Sequence, residues 1–150
     1  MAWTEGQTLP ELGLIGWPLS VTFSPRMHGA ALRDLGLAWR YEAIPVTPGD
    51  LRAFVSASSV AMRGFNVTMP YKIEVRALCS SLDSLASASG AVNAVVCVRA
   101  PGRRPRLEGH NTDGPGLLRA LSLGADFEAP GRNVLVVGAG GSAAACAAAL

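Results

Sequence analysis

Lysine is nearly absent from this chain: of its 13 basic residues, only Lys72 is not an arginine. Guanidinium stays protonated at any workable pH, whereas a lysine placed near other groups can have its pKa lowered and exchange a proton. Aromatic residues are scarce at 6%, and none is interleaved with the one basic cluster, Arg103, Arg104 and Arg106. That cluster lies in Ala-Pro-Gly-Arg-Arg-Pro-Arg, a turn tip without rings to stack bases, so no nucleic-acid partner is expected. The three cysteines, Cys79, Cys97 and Cys146, are far apart and show no metal-ligand spacing. They are expected to be reduced thiols in or near the core of a cytoplasmic protein, with no metal site. Apolar runs are short and Met1 to Pro10 is polar, so neither a membrane span nor a signal peptide is expected.

What is present fits a soluble α/β protein: 150 residues, 49% hydrophobic and 16% charged, with a net charge of +2. Leu12 to Trp17 is a short apolar run closed by Pro18 and reads as a buried first strand. Thr22 and Ser24 follow just past its carboxyl end, where open α/β sheets bind ligands. Ser24 before Pro25 also reads as a helix N-cap, so capping and binding both stay open for it. Met27, Ala30, Ala31 and Leu35 recur at helical spacing up to Gly36. His28 lies on that helix and reads as a packed or surface histidine.

Trp39 to Val46 reads as the second strand, and Pro48 with Asp50 opens a helix through Ala57. Arg63 to Thr68 is the third strand. Its end, Asn66-Val67-Thr68-Met69-Pro70-Tyr71-Lys72, alternates polar with apolar residues, so Asn66 and Thr68 share a face. Pro70 can open the helix that runs to Leu78, with Lys72 in its first turn. Taken alone, this is equally well a strand-to-helix corner with a solvated lysine. Ser80 to Ser89 is Ser/Ala-rich and helical, ending at Gly90. Repeated strand-helix-strand units imply a mostly parallel sheet with helices on both faces.

The pattern then changes: Ala91 to Val98 and Arg106 to His110 flank a turn and read as a hairpin at the edge of the sheet. Asn93 interrupts an apolar strand and needs a partner, structural or ligand. His110-Asn111-Thr112-Asp113-Gly114 precedes a helical run from Gly116 to Leu123, and Thr112 or Asp113 reads first as its N-cap. Asn133 to Val137 is an apolar strand that runs into Gly138-Ala139-Gly140-Gly141-Ser142-Ala143, followed by an Ala-rich helix to Leu150. That is the G-x-G-x-x-A arrangement for dinucleotide phosphates, with the helix N-terminus offering N–H donors to a pyrophosphate.

Asn-Val-Thr-x-Pro-(aromatic)-Lys at 66 to 72, Ala-Val-Asn at 91 to 93, Asn-Thr-Asp-Gly at 111 to 114 and Gly-Ala-Gly-Gly at 138 to 141 together resemble the shikimate dehydrogenase family. The resemblance implies a substrate domain, residues 1–113, and the start of a Rossmann dinucleotide-binding domain, residues 114–150. It implies that Thr22 and Ser24 hold a substrate carboxylate, that Asn66, Thr68 and Asn93 position ring hydroxyls, and that Lys72 and Asp113 are catalytic. It further implies that Gly138, Ala139, Gly140, Gly141 and Ser142 hold NADP. The implied reaction is the reversible NADPH-dependent reduction of 3-dehydroshikimate to shikimate, with a homodimer as an expected assembly. Thr22 stands where the family usually has serine, Phe23 where a polar or basic residue is frequent, and Ser84 where an acidic residue is common, beside Asp83. These departures keep quinate open as an alternative substrate. The second strand of the dinucleotide unit lies outside the sequence, which also leaves open a module that binds a shikimate-like acid without catalysis.

Overall fold

Alternation of side chains along the first strand decides the layering. The computed structural model describes residues 1–150, and in it β1 (Leu12–Gly16) lies between β2 (Tyr41–Pro45) and β3 (Gly64–Val67), parallel to both. Leu12 and Leu14 face one side, Gly13 and Ile15 the other. On the first side Leu14, Leu32 and Tyr41 form a small core beneath α1 (Ser24–Asp34). On the second, Ile15, Ile44, Phe65 and Val67 join a larger core with Phe54 and Val55 of α2 (Leu51–Ala61). The chain steps outward from β1 to β2 and then back across β1 to β3, and right-handed crossovers in opposite directions put the two helices on opposite faces.

The rest of the sheet is mixed. Its order is β2-β1-β3-β5-β6-β4, with β4 at Ser81–Leu82, β5 at Ala94–Val98 and β6 at Arg106–His110. The β1/β2, β1/β3 and β4/β6 pairings are parallel, whereas β3/β5 and β5/β6 are antiparallel. Parallel pairing is therefore in the majority, as the strand-helix repeats imply. The β5/β6 hairpin forms but is not the edge. Ser80 N–H donates to Leu107 O at 2.7 Å and Asp83 N–H to Gly109 O at 2.9 Å, so β4 covers β6 on its outer side.

Several boundaries differ from the sequence reading for local reasons. Ser80 to Ser89 is not one helical segment: α4 (Ser84–Ser89) starts only after Asp83, whose carboxylate accepts the Ala86 N–H at 2.6 Å. Pro70 does not open a helix either. Thr68 O takes the Tyr71 N–H in a turn, and α3 (Lys72–Arg76) begins at Lys72 itself. Ser24 is not a side-chain cap, because α1 has none and the Ser24 N–H instead donates to Thr22 Oγ1 at 3.1 Å. α2 runs on to Ala61, and α5 (Asp113–Ala125) starts ahead of Gly116.

The largest departure lies at 133–137, which forms no strand. It has no hydrogen-bonded neighbour, and a strand without one leaves its N–H and C=O groups unpaired. Leu135 and Val137 are 86% and 90% exposed. With Leu117, Leu121 and Phe127 they line an apolar groove of about 400 Å³ beside α6 (Gly141–Ala149). All three cysteines are free, and burial pushes the Cys79 and Cys97 thiols up to about 11. Exposed apolar surface of this kind drives association. The 150-residue chain should therefore self-associate at tens of micromolar in sedimentation velocity, and Leu135→Glu should shift it toward monomer; a wild-type chain that stays monomeric at that concentration would contradict this.

Candidate functional site

At the carboxyl ends of β1 and β3 the chain leaves a cavity of about 630 Å³. Thr22, Ser24, Asn66, Thr68, Lys72, Asn93 and Asp113 all line it, so every residue read as binding substrate meets at one place. Topology explains the convergence. The antiparallel β3/β5 pairing brings the start of β5 beside the end of β3, and β6 returns to the same end of the sheet.

Lys72 Nζ donates to Asp113 Oδ2 at 2.6 Å, with the two side chains 14% and 24% exposed. The other oxygen of Asp113 accepts Asn93 Nδ2–H at 2.6 Å. Asn93 also takes the Thr112 N–H on its Oδ1 at 2.9 Å. The Asn93 amide is therefore a clamp between β5 and the start of α5. Neither Thr112 nor Asp113 caps α5 by its side chain, contrary to the sequence reading. The residue before them does the related work: Asn111, 2% exposed, accepts the Asp113 N–H on Oδ1 at 3.0 Å and donates to Ala91 O at 2.8 Å. Asp113 is left free to face Lys72.

Asn66 is held from both sides. Its Oδ1 accepts Tyr41 O–H at 2.8 Å, and its Nδ2–H donates to Asn93 O at 3.2 Å. Burial pushes the Tyr41 phenol up to about 12, so it remains a donor over the working pH range. The ring of His28 stacks on Tyr41 at 4.3 Å and 10°, and burial lowers its pKa. His28 also lines the cavity, one helical turn beyond Ser24, so it is packed as expected yet placed at the site.

The glycine turn reaches the same place from the other side. Gly138 has φ +133°, which L side chains rarely adopt, and a Cβ at Gly141 would lie 3.0 Å from Lys72 Cβ. Ser142 Oγ accepts from Lys72 Nζ at 2.8 Å. α6 has no side-chain cap, so its first N–H groups are open to an anion. Sequence reasoning missed Tyr41, Asn111 and the Ser142 contact. Tyr41 and Ser142 meet their partners across 25 and 70 residues of chain, where no local pattern shows the pairing.

Residues 14–95 match the model of the shikimate dehydrogenase substrate binding domain. The chain belongs to the shikimate dehydrogenase family. It is 49% identical over 140 residues to the shikimate dehydrogenase (NADP(+)) of Rubrobacter xylanophilus, covering 93% of this chain and 48% of that protein. Among solved structures, a shikimate dehydrogenase in complex with NADP+ superposes with a TM-score of 0.81 at 38% identity, covering 91% of this chain and 46% of the other. The Thermus thermophilus shikimate 5-dehydrogenase in complex with NADP(H) and shikimate gives 0.75 at 34% identity, covering 92% of this chain and 50% of that one. The chain thus spans about half the length of the relatives it matches.

His28 generates a pH expectation. Its folded pKa lies below its unfolded one, so below about pH 6.5 the unfolded chain binds the proton more readily. Stability should fall as pH drops through that value, and His28→Phe, which keeps a stacking ring, should lose less between pH 7 and 5.5. Equal losses in thermal melts of both chains would contradict this.

Proposed function

We propose that this chain is the substrate-binding part of an NADP-dependent shikimate dehydrogenase, which interconverts 3-dehydroshikimate and shikimate. The observation that carries the reading is the Lys72–Asp113 pair at 2.6 Å, set in a cavity rimmed by the hydroxyls and amides that a polyhydroxylated ring acid requires. Residues 1–113 are the substrate domain and 114–150 begin the dinucleotide domain. The protein acts in the cytoplasm on a small-molecule substrate.

Thr22 and Ser24 offer two adjacent hydroxyls, 3.2 Å apart, to a carboxylate. Asn66, Thr68 and Asn93 offer donors and acceptors to ring hydroxyls. The uncapped N-terminus of α6, preceded by Gly138 at positive φ and by Gly140 with open space around it, suits the pyrophosphate of NADP. Gly138, Ala139, Gly140, Gly141 and Ser142 would hold it there. When bound, the cofactor supplies the hydride for the ring ketone. As that ketone becomes an alkoxide, the Lys72 ammonium stabilises the growing charge and gives up a proton to the oxygen. In oxidation, neutral Lys72 takes the proton back. Asp113 holds the amine in place through either step, and Asn93 holds Asp113.

Lys72→Ala, in the protein carrying the half its relatives possess, should lower kcat by at least ~100-fold with a much smaller change in KM, as for a lost general acid or base. An equal loss confined to KM would make Lys72 a binding residue and sink this mechanism.

A further inference from the structure

The proposed substrate site depends on which way the Asn66 amide faces, because its two ends offer opposite hydrogen-bonding character. Asn93 O forbids one of the two orientations. That carbonyl already accepts the Val67 N–H at 2.9 Å and stands 3.2 Å from the Asn66 nitrogen, so a flipped amide would set two acceptors against each other. In the allowed orientation Oδ1 turns toward β2, where it would be a poorly hydrated acceptor without a partner. Tyr41 O–H supplies that partner at 2.8 Å, from a residue only 9% exposed. The His28 ring lies flat on the Tyr41 ring from the cavity side and limits how the phenol can swing. One Asn66 N–H is spent on Asn93 O. The other has no protein partner, and Asn66 lines the cavity.

We propose that Tyr41 is the positioning residue for Asn66: its phenol locks the carboxamide in the orientation that Asn93 O selects, with the carbonyl turned toward β2 and one N–H left for a ligand oxygen. The inference rests on the proposed substrate site, and it adds a residue outside the first ring of contacts that holds one of them still. Asn66 then donates to a ring oxygen and does not accept from it. Tyr41 itself does not line the cavity.

Three measurements on the 150-residue chain test this. In the ligand-free chain with labelled asparagine, the Asn66 side-chain proton donated to Asn93 O should exchange slowly, and Tyr41→Phe, which frees the carboxamide to turn, should speed that exchange at least ~10-fold while backbone amides of β3 keep their protection, as expected for one lost hydrogen bond. In the unsubstituted chain the Tyr41 hydroxyl proton should itself be observable in slow exchange, a readout that needs no variant to fold. Free exchange of that proton, or unchanged Asn66 exchange in Tyr41→Phe, would overturn the proposal. In a shikimate titration Tyr41→Phe should weaken binding ~5- to 10-fold, of the order of one hydrogen bond, and should cause no further loss in an Asn66→Ala background. The same loss in both backgrounds would mean that Tyr41 acts by another route and would also overturn it. Absence of shikimate binding to the unsubstituted chain would instead strike at the substrate reading and leave the exchange measurements to decide the role of Tyr41.

Discussion

Asn93 is the residue on which the site hangs, because it satisfies partners on three elements at once. Its carbonyl takes the Val67 N–H and the Asn66 amide from β3, and its N–H donates to His110 O of β6. Its side chain then holds Thr112 and Asp113 at the head of α5. A half-buried amide with every group paired is rigid, whereas one with a missing partner carries the full desolvation penalty. The position of Asp113, and through it of Lys72, is thus fixed by the same residue that fixes Asn66.

This junction exists only because the sheet is mixed. In an all-parallel sheet the start of the next strand would lie at the far end from the end of β3, and Asn93 could not reach Asn66. Antiparallel β5 reverses that relation, so residues entering β5 and leaving β6 gather where β1 and β3 end. Crossover helices above and below supply the apolar packing, and the first turn of α1 borders that end with Ser24, Met27 and His28. The groups that line the cavity therefore come from strand termini and first helical turns, whose backbone the sheet holds still.

The parts of this arrangement that were legible in sequence are those written in neighbouring residues. Five of the six strands and the main helices follow from short apolar runs punctuated by proline and glycine, and the cavity residues from polar interruptions such as Asn66, Thr68 and Asn93; the two-residue β4 (Ser81–Leu82) lies in a stretch that reads as helical. What was not legible depends on chain-distant pairing. Nothing near Tyr41 marks it as the partner of Asn66, since a tyrosine opening a strand reads equally as core. Thr112 and Asp113 carry a capping signature, yet Asn111 makes the turn and releases their side chains for Asn93 and Lys72. Asn133 to Val137 has every property of a strand except a neighbour, and composition cannot supply one.

The scarcity of lysine acquires its physical meaning at this site. Lys72 Nζ sits within 2.8 Å of both Asp113 and Ser142, on a side chain 14% exposed, with Gly141 closing on its Cβ. An arginine there would bring a planar fork in place of a compact ammonium, and it could form a tighter pair with Asp113. That pair would hold charge without ever releasing a proton. Elsewhere in the chain guanidinium serves surface pairing well, as in the Arg40 contact with Glu42 at 3.0 Å and the stacking of Arg63 on Trp39 at 4.2 Å. For the proposed proton transfer an amine serves where a guanidinium cannot, and the chain places its single lysine at that point.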